Sequence, residues 1–187
     1  MTQDLTEANA VRPDETGIFG LAVYEAGHAI AARALGLRII SLKMLPRPAV
    51  LESEKTFSAH SWQSFIETLE IRVIELMGGQ IAERLLCNGP SCCPGDISRI
   101  DELTRMIAAF DDARLPEDIW FDLEDMAEAI FAQDGARAAL LPLSLILQGH
   151  IREGQEMTPG EEIEAVLDDY MPRPKKAGLF RRLTGRG

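Results

Sequence analysis

The chain has 187 residues, 46% of them hydrophobic, and a formal net charge of -11. This length can bury one core, so we expect one domain between short tails, and the acidic balance argues against nucleic acid as a partner. No run reaches the ~20 apolar residues that cross a bilayer, and the polar N-terminus is unlike a signal peptide, so we expect a cytoplasmic protein. The odd set of Cys87, Cys92 and Cys93 argues against a disulfide framework and is interpreted as reduced thiols.

The first predicted elements are a helix and a strand. Over 17–35 the apolar residues recur at helical spacing, and Gly36 follows as a C-terminal cap. From 38 to 45 the pattern changes to apolar and β-branched residues, which predicts a strand that stops before a Pro-Arg-Pro sequence. A second short strand is predicted at 55–60.

A long helix is predicted over 62–86, with Ser61 as its N-cap. Its apolar stripe consists of Phe65, Leu69, Val73, Met77, Ile81 and Leu85. Gly78 and Gly79 lie inside it, where each costs roughly 1 kcal/mol relative to alanine. Because such a pair permits another backbone to approach closely, we expect the first helix to cross there.

The rest of the chain is predicted to be helical. Residues 88–95 have the composition of a loop, and Asp96 or Ser98 begins a helix that reaches about Phe110. Three further helices are predicted at 116–133, 136–152 and 159–170, the last with Thr158 as its cap and Pro159 at its first position. The expected fold class is therefore mainly α (α+β), a helical bundle with a small β-hairpin or short sheet.

The two ends of the chain differ from its body. Residues 1–16 are predicted to be a flexible segment, 17–171 the folded domain, and 172–187 a basic, disordered tail. The tail holds six basic residues and no acid, which leaves 13 bases against 30 acids, a net charge of -17, in the remainder. Leu179, Phe180 and Leu183 lie among the cations, so contact with a membrane or an acidic partner is an alternative to a solubilising role.

The motif that carries chemistry lies in the first helix, where residues 24–28 read Tyr-Glu-Ala-Gly-His. In a His-Glu-x-x-His motif, imidazoles four residues apart share a helix face and hold zinc, while the Glu reaches the metal-bound water. A catalytic zinc takes three protein ligands and a water. Here Tyr24 stands at the first ligand position, and a phenol with a pKa near 10 binds zinc only weakly unless the metal removes its proton.

Several segments resemble the peptidase domain of the FtsH-type zinc metalloproteases. Residues 25–29 are similar to that family's His-Glu-Ala-Gly-His-Ala core, and residues 76–83 resemble its Leu-Gly-Gly-Arg-x-Ala-Glu segment. Gly95-Asp96-Ile97 resembles the segment whose Asp supplies the third zinc ligand. Residues 149–153 and 160–163 are similar to its closing helices, so the resemblance covers roughly residues 17–171.

The resemblance implies a role for each of five residues. Glu25 is the expected general base, His28 and Asp96 are the expected zinc ligands, Tyr24 replaces the first ligand, and Glu83 orients a ligand. Zinc is the implied cofactor, and the family also suggests a homo-oligomer. No Gly-x-x-x-x-Gly-Lys-Ser/Thr sequence is present, so we expect no ATP site.

Each of these residues also has a purely structural alternative. Asp96 can be an ordinary helix N-cap, Glu25 can belong to a salt bridge, and His28 can be a packed histidine. Conversely, a thiolate or another imidazole can replace the missing ligand, since zinc accepts both. The candidates for that replacement are Cys87, Cys92, Cys93 and His60.

Three functions are consistent with these sequence features. The leading hypothesis is a catalytically degenerate peptidase-like domain that binds a protein or peptide partner. The second is an active, ATP-independent zinc metalloendopeptidase in which Tyr24, a cysteine or an extra water completes the coordination. The third is a helical protein unrelated to peptidases that docks through its basic tail. The first two require Tyr24, Glu25, His28 and Asp96 to converge on one cleft.

Overall fold

A computed structural model of the chain describes residues 13–45, 48–54, 61–87, 94–111 and 113–173. In chain order its elements are α1 (Pro13–Ala34), β1 (Ile39–Lys43), β2 (Val50–Ser53), α2 (Trp62–Leu86), α3 (Pro94–Phe110), α4 (Pro116–Phe131), α5 (Asp134–Arg152), β3 (Met157–Pro159) and α6 (Gly160–Asp168). The architecture is mainly helical with one small antiparallel sheet, which confirms the predicted fold class.

Helix α1 is longer at its start than the sequence indicates. It begins at Pro13, so residues 13–16 belong to the helix and not to a flexible N-terminal segment. A proline fits the first turn because that turn needs no N–H from it. The helix ends at Ala34, and Gly36 adopts a φ of 79° while its N–H donates to the Arg33 carbonyl at 3.0 Å. The predicted glycine cap is confirmed.

The three strands form a sheet with the order β2-β1-β3. Strand β1 lies within the predicted strand at 38–45, and Leu42 faces both Leu51 and Thr158 across antiparallel pairs. The strand predicted at 55–60 lies outside the described residues. Strand β2 pairs with β1 along one side and is an edge strand of the described sheet.

Helix α2 has the predicted bounds and cap. The Ser61 hydroxyl accepts from the Ser64 N–H at 3.2 Å, and the Ser64 hydroxyl oxygen in turn accepts from the Ser61 N–H at 3.2 Å. At the crossing of α1 and α2, a Cβ on Gly27 would lie 2.3 Å from the Gly78 carbonyl oxygen. Only glycines allow the backbones this close, so the predicted close approach at the glycine pair is confirmed.

Three further helices begin at residues other than those predicted, and α5 is one of them, since it begins at Asp134 and not at 136. Helix α3 begins at Pro94, which places Asp96 inside the first turn and not at an N-cap. Helix α6 begins at Gly160 with Pro159 as its cap residue, and Thr158 does not cap it. Thr158 instead pairs with Leu42 through its backbone in β3, and its buried hydroxyl lies 2.9 Å from His150 Nδ1.

Helices α1 and α6 are joined by a buried arginine. Arg33 is almost fully buried and forms ion pairs with Glu164 and Asp168 of α6. Its guanidinium also donates to the Met171 carbonyl oxygen at 2.7 Å. A buried charge is tolerated only when it is paired and hydrogen-bonded, and these contacts supply that pairing.

Several predictions concern residues outside the described ranges. They are those for 1–12, for most of the basic tail at 174–187, and for His60, Cys92 and Cys93 as replacement ligands. Among the described helices, none alone is long and apolar enough to cross a membrane. Helices α4 and α5 pass that test of length and composition only as a pair, and they are bent by 80° where they meet.

Candidate functional site

A cleft of about 540 Å³ opens between α1, β2, α2 and the start of α3. Its described lining residues are Leu21, Glu25, His28, Pro48, Ala49, Val50, Leu51, Arg72, Leu76, Gly95 and Asp96. The cleft therefore contains the expected general base and both expected conventional ligands. A volume of this size falls within the roughly 300–1,000 Å³ typical of ligand sites.

Tyr24, His28 and Asp96 are in mutual contact beside this cleft. The buried Tyr24 hydroxyl donates to Asp96 Oδ2 at 2.7 Å, and His28 Nε2 lies 3.3 Å from the same oxygen. The two rings meet edge to face, with centroids 4.7 Å apart, because residues four apart share a helix face. The structure thus brings together Asp96 and the two α1 side chains that the sequence placed near one another.

The orientation of His28 is fixed from α2. Its Nδ1 lies 2.8 Å from the Glu75 carbonyl oxygen, and since a carbonyl can only accept, Nδ1 carries a proton and Nε2 faces Asp96. Gly79 makes room for this arrangement, because a Cβ there would lie 2.7 Å from the Tyr24 ring and 2.9 Å from His28 Cε1. Sequence reasoning missed Glu75, since a contact to a backbone carbonyl leaves no residue signature.

Glu25 lies in the same cleft and is only 3% exposed. Burial raises the pKa of its carboxyl group, the nearby Asp96 raises it further, and His28 acts in the opposite direction. The raised pKa makes this carboxyl group easier to protonate than a free glutamate, so it can exchange a proton with a ligand in the cleft.

His28 and Asp96 form a charged pair. Burial lowers the pKa of His28, but the hydrogen bond to Asp96 and the negative charges of Glu25 and Asp96 outweigh it and raise the pKa to about 9. Burial raises the pKa of Asp96, but the contacts with His28 and Tyr24 and the charge of Arg72 outweigh burial, so the pKa is lowered overall. At neutral pH the cluster is therefore an imidazolium bound to a carboxylate, with the phenol as a second donor.

The raised pKa of His28 predicts a stability that depends on pH. The folded protein binds more protons than the unfolded chain between about pH 6.5 and the folded pKa, so the free energy of unfolding falls as pH rises through this range. For chelator-treated protein we expect the free energy of unfolding to fall by up to about 3 kcal/mol between pH 6.5 and 9, as measured by urea unfolding. A His28→Gln variant that retained the same slope would contradict this origin.

Two other candidate residues lie away from the cleft lining. Glu83 is buried against α1, where its Oε1 would be 4.0 Å from a Cβ on Gly20, one helical turn before Tyr24. Its role in orienting a ligand stays a prediction. Cys87 is a free thiol at the end of α2 and does not line the cleft, so it is not placed to replace an imidazole.

The described donor set does not fit a complete zinc site. Two ligand atoms about 2.0–2.1 Å from a tetrahedral zinc lie about 3.3–3.4 Å apart, which matches His28 Nε2 and Asp96 Oδ2 at 3.3 Å. The Tyr24 oxygen is 2.7 Å from Asp96, the length of a hydrogen bond from a protonated phenol. Among the described residues, no group of three or more His, Cys, Asp or Glu can hold a metal ion.

Comparison with known proteins assigns no family to this arrangement. The sequence matches no model of a protein family, and no curated protein is detectably similar to it. The resemblance to FtsH-type peptidases therefore depends on the motif residues in α1, α2 and α3 and on the similar segments in α5 and α6.

Proposed function

We propose that this chain is a degenerate FtsH-type peptidase-like domain that binds an extended peptide, or a segment of a partner protein, without hydrolysing it. The observation that carries the proposal is the hydrogen bond from Tyr24 to Asp96 at 2.7 Å. It supplies Asp96 with a proton donor where a peptidase would supply a metal. His28 supplies the second donor, so the charge of the carboxylate is compensated without zinc.

The cleft has features that suit an extended peptide. One wall is β2, which is an edge strand among the described residues, and Val50 at its start is 52% exposed. The free side of an edge strand can pair with the backbone of another chain, which provides affinity independent of sequence. Leu21, Leu51 and Leu76 add apolar surface for side chains.

A second candidate function is the active, ATP-independent zinc metalloendopeptidase. It is supported by the position of Glu25, the expected general base, which lines the same cleft as His28 and Asp96. The described residues lack a third conventional ligand for it. The two candidate functions predict different zinc contents and different hydrolytic activities.

The first experiment measures zinc content and hydrolysis. Protein purified without a histidine tag is analysed for zinc and assayed on unfolded casein, with Glu25→Gln as the control. We expect substoichiometric zinc and no cleavage. Stoichiometric zinc together with cleavage that Glu25→Gln abolishes would overturn the proposal in favour of the active peptidase.

The second experiment measures binding to an array of unfolded peptides. Ala49 is half-buried in the cleft lining, so we expect Ala49→Trp to fill the cleft and abolish binding. Ala138 is exposed on α5 and does not line the cleft, and Ala138→Trp is the matched control that should bind normally. Absence of binding by the unaltered protein, or equal binding by both variants, would contradict a peptide site in this cleft.

A further inference from the structure

We propose that the cleft selects peptides that carry a carboxylate, and that Arg72 is the residue that binds it. The inference rests on the proposed peptide-binding function and adds a chemical preference to it. Arg72 lies on α2, lines the cleft and has a side chain that is 34% exposed.

A buried carboxylate holds Arg72 in place. Arg72 Nη1 donates to Glu75 Oε2 at 2.6 Å, and the Glu75 side chain is 2% exposed. The other oxygen of Glu75 accepts from the Ser53 hydroxyl of β2 at 3.2 Å. Glu75 therefore fixes the guanidinium between α2 and the edge strand, which reduces the conformational entropy that Arg72 loses when it binds a ligand.

The described contacts of Arg72 use one of its nitrogens, Nη1. A guanidinium has five N–H donors in a planar fork, so Nη2 and Nε still carry donors for a ligand. This fork matches the two oxygens of a carboxylate. The geometry thus favours a carboxylate over a neutral amide at this point of the cleft.

Two other charged side chains of the described cleft lining contact each other. His28 faces Asp96, and Asp96 also accepts from Tyr24. Among the described lining residues, Arg72 is a cation whose side chain is partly exposed, so a ligand entering the cleft can reach it. Because the whole chain carries -11, its long-range field repels anions, and a preference for carboxylates has to arise from short-range contact.

The test uses three N-acetylated pentapeptides, Val-Ala-Leu-Val-Ala as the carboxamide, the same peptide with a free carboxyl terminus, and Val-Ala-Glu-Val-Ala as the carboxamide. Affinities are measured by calorimetry. We expect at least one acidic peptide to bind about five- to tenfold more tightly than the neutral one, as a charge-assisted hydrogen bond allows. Which of the two gains affinity distinguishes a terminal from a side-chain carboxylate.

Two variants assign the preference to Arg72. Arg72→Gln should remove it, and because that change leaves Glu75 buried without its cation, the double variant Arg72→Gln/Glu75→Gln provides a neutral pair of similar shape. Arg84→Gln is the matched control, since Arg84 lies on the same helix, outside the cleft lining, and pairs with Glu124 and Glu128. The control should retain the preference.

The outcomes separate this inference from the proposed function. If the neutral and acidic peptides bind equally, or if the double variant retains the preference, the role of Arg72 is overturned while peptide binding stands. If none of the peptides binds, peptide binding in the cleft and the role of Arg72 fall together. Loss of the preference in the double variant, together with its retention in Arg84→Gln, supports the inference.

Discussion

Replacing Tyr24 with histidine is expected to raise the affinity of the chain for zinc at least about a hundredfold, since even the loss of an outer-shell partner weakens metal sites about 10- to 100-fold. The new imidazole would lie one helical turn from His28, on the face that contacts Asp96. These three side chains make the donor set of an open catalytic zinc site. The substitution also removes the phenol hydroxyl that donates a hydrogen bond to Asp96.

The affinity is measured by competition with a chromogenic zinc chelator. Tyr24→Phe is the control, because it removes the hydroxyl without adding a donor, and we expect it to bind no more zinc than the unaltered protein. Adding Asp96→Asn to Tyr24→His should lower the affinity again. Equal zinc affinities of Tyr24→His and Tyr24→Phe would show that the ligand geometry of the peptidase has not been kept.

The second large effect is expected from Gly27→Ala at the crossing of α1 and α2. The added Cβ would lie 2.3 Å from the Gly78 carbonyl oxygen and 2.6 Å from Ala82 Cβ. Neither atom is the end of a flexible side chain, so the two helices have to separate. We expect a loss of at least about 3 kcal/mol in the free energy of unfolding, the size seen for severe overpacking.

The same helix provides a matched control for that substitution. A Cβ on Gly17 would meet nothing within 4 Å, so Gly17→Ala should stabilise the helix by up to about 1 kcal/mol. Both variants are compared by urea unfolding followed by circular dichroism. Similar stabilities of the two variants would contradict the close crossing of α1 and α2.

The sequence predicted helices better than strands, for a physical reason. Helix α2 carries its own start signal, Ser61, and a long apolar stripe, and its bounds were predicted correctly. Strands β2 and β3 have four and three residues, and β3 includes a proline. Such short strands exist because they pair with β1, and that pairing joins residues distant in the sequence, so no local pattern indicates them.

In the candidate site too, local sequence patterns predicted some contacts, and contacts made by tertiary packing could not be predicted. That Tyr24 and His28 share a face follows from helical spacing alone. The contact of Asp96 with that face could be expected only from the family resemblance, because α3 is brought to α1 by tertiary packing. No sequence motif indicated Glu75 or Arg72. Glu75 positions His28 through its backbone carbonyl, and its side chain contacts Ser53 of β2 because of tertiary packing.

The buried Arg33 has a consequence for the order in which parts of the chain fold during synthesis. Its partners Glu164, Asp168 and Met171 are more than 130 positions further along the chain. During synthesis the helix that holds Tyr24 and His28 leaves the ribosome early, yet the charge at its C-terminal end stays uncompensated until these residues emerge. Burial of that end, and with it the final placement of the site helix, therefore has to wait until these residues emerge, and a nascent chain halted before Glu164 should still expose α1 to protease.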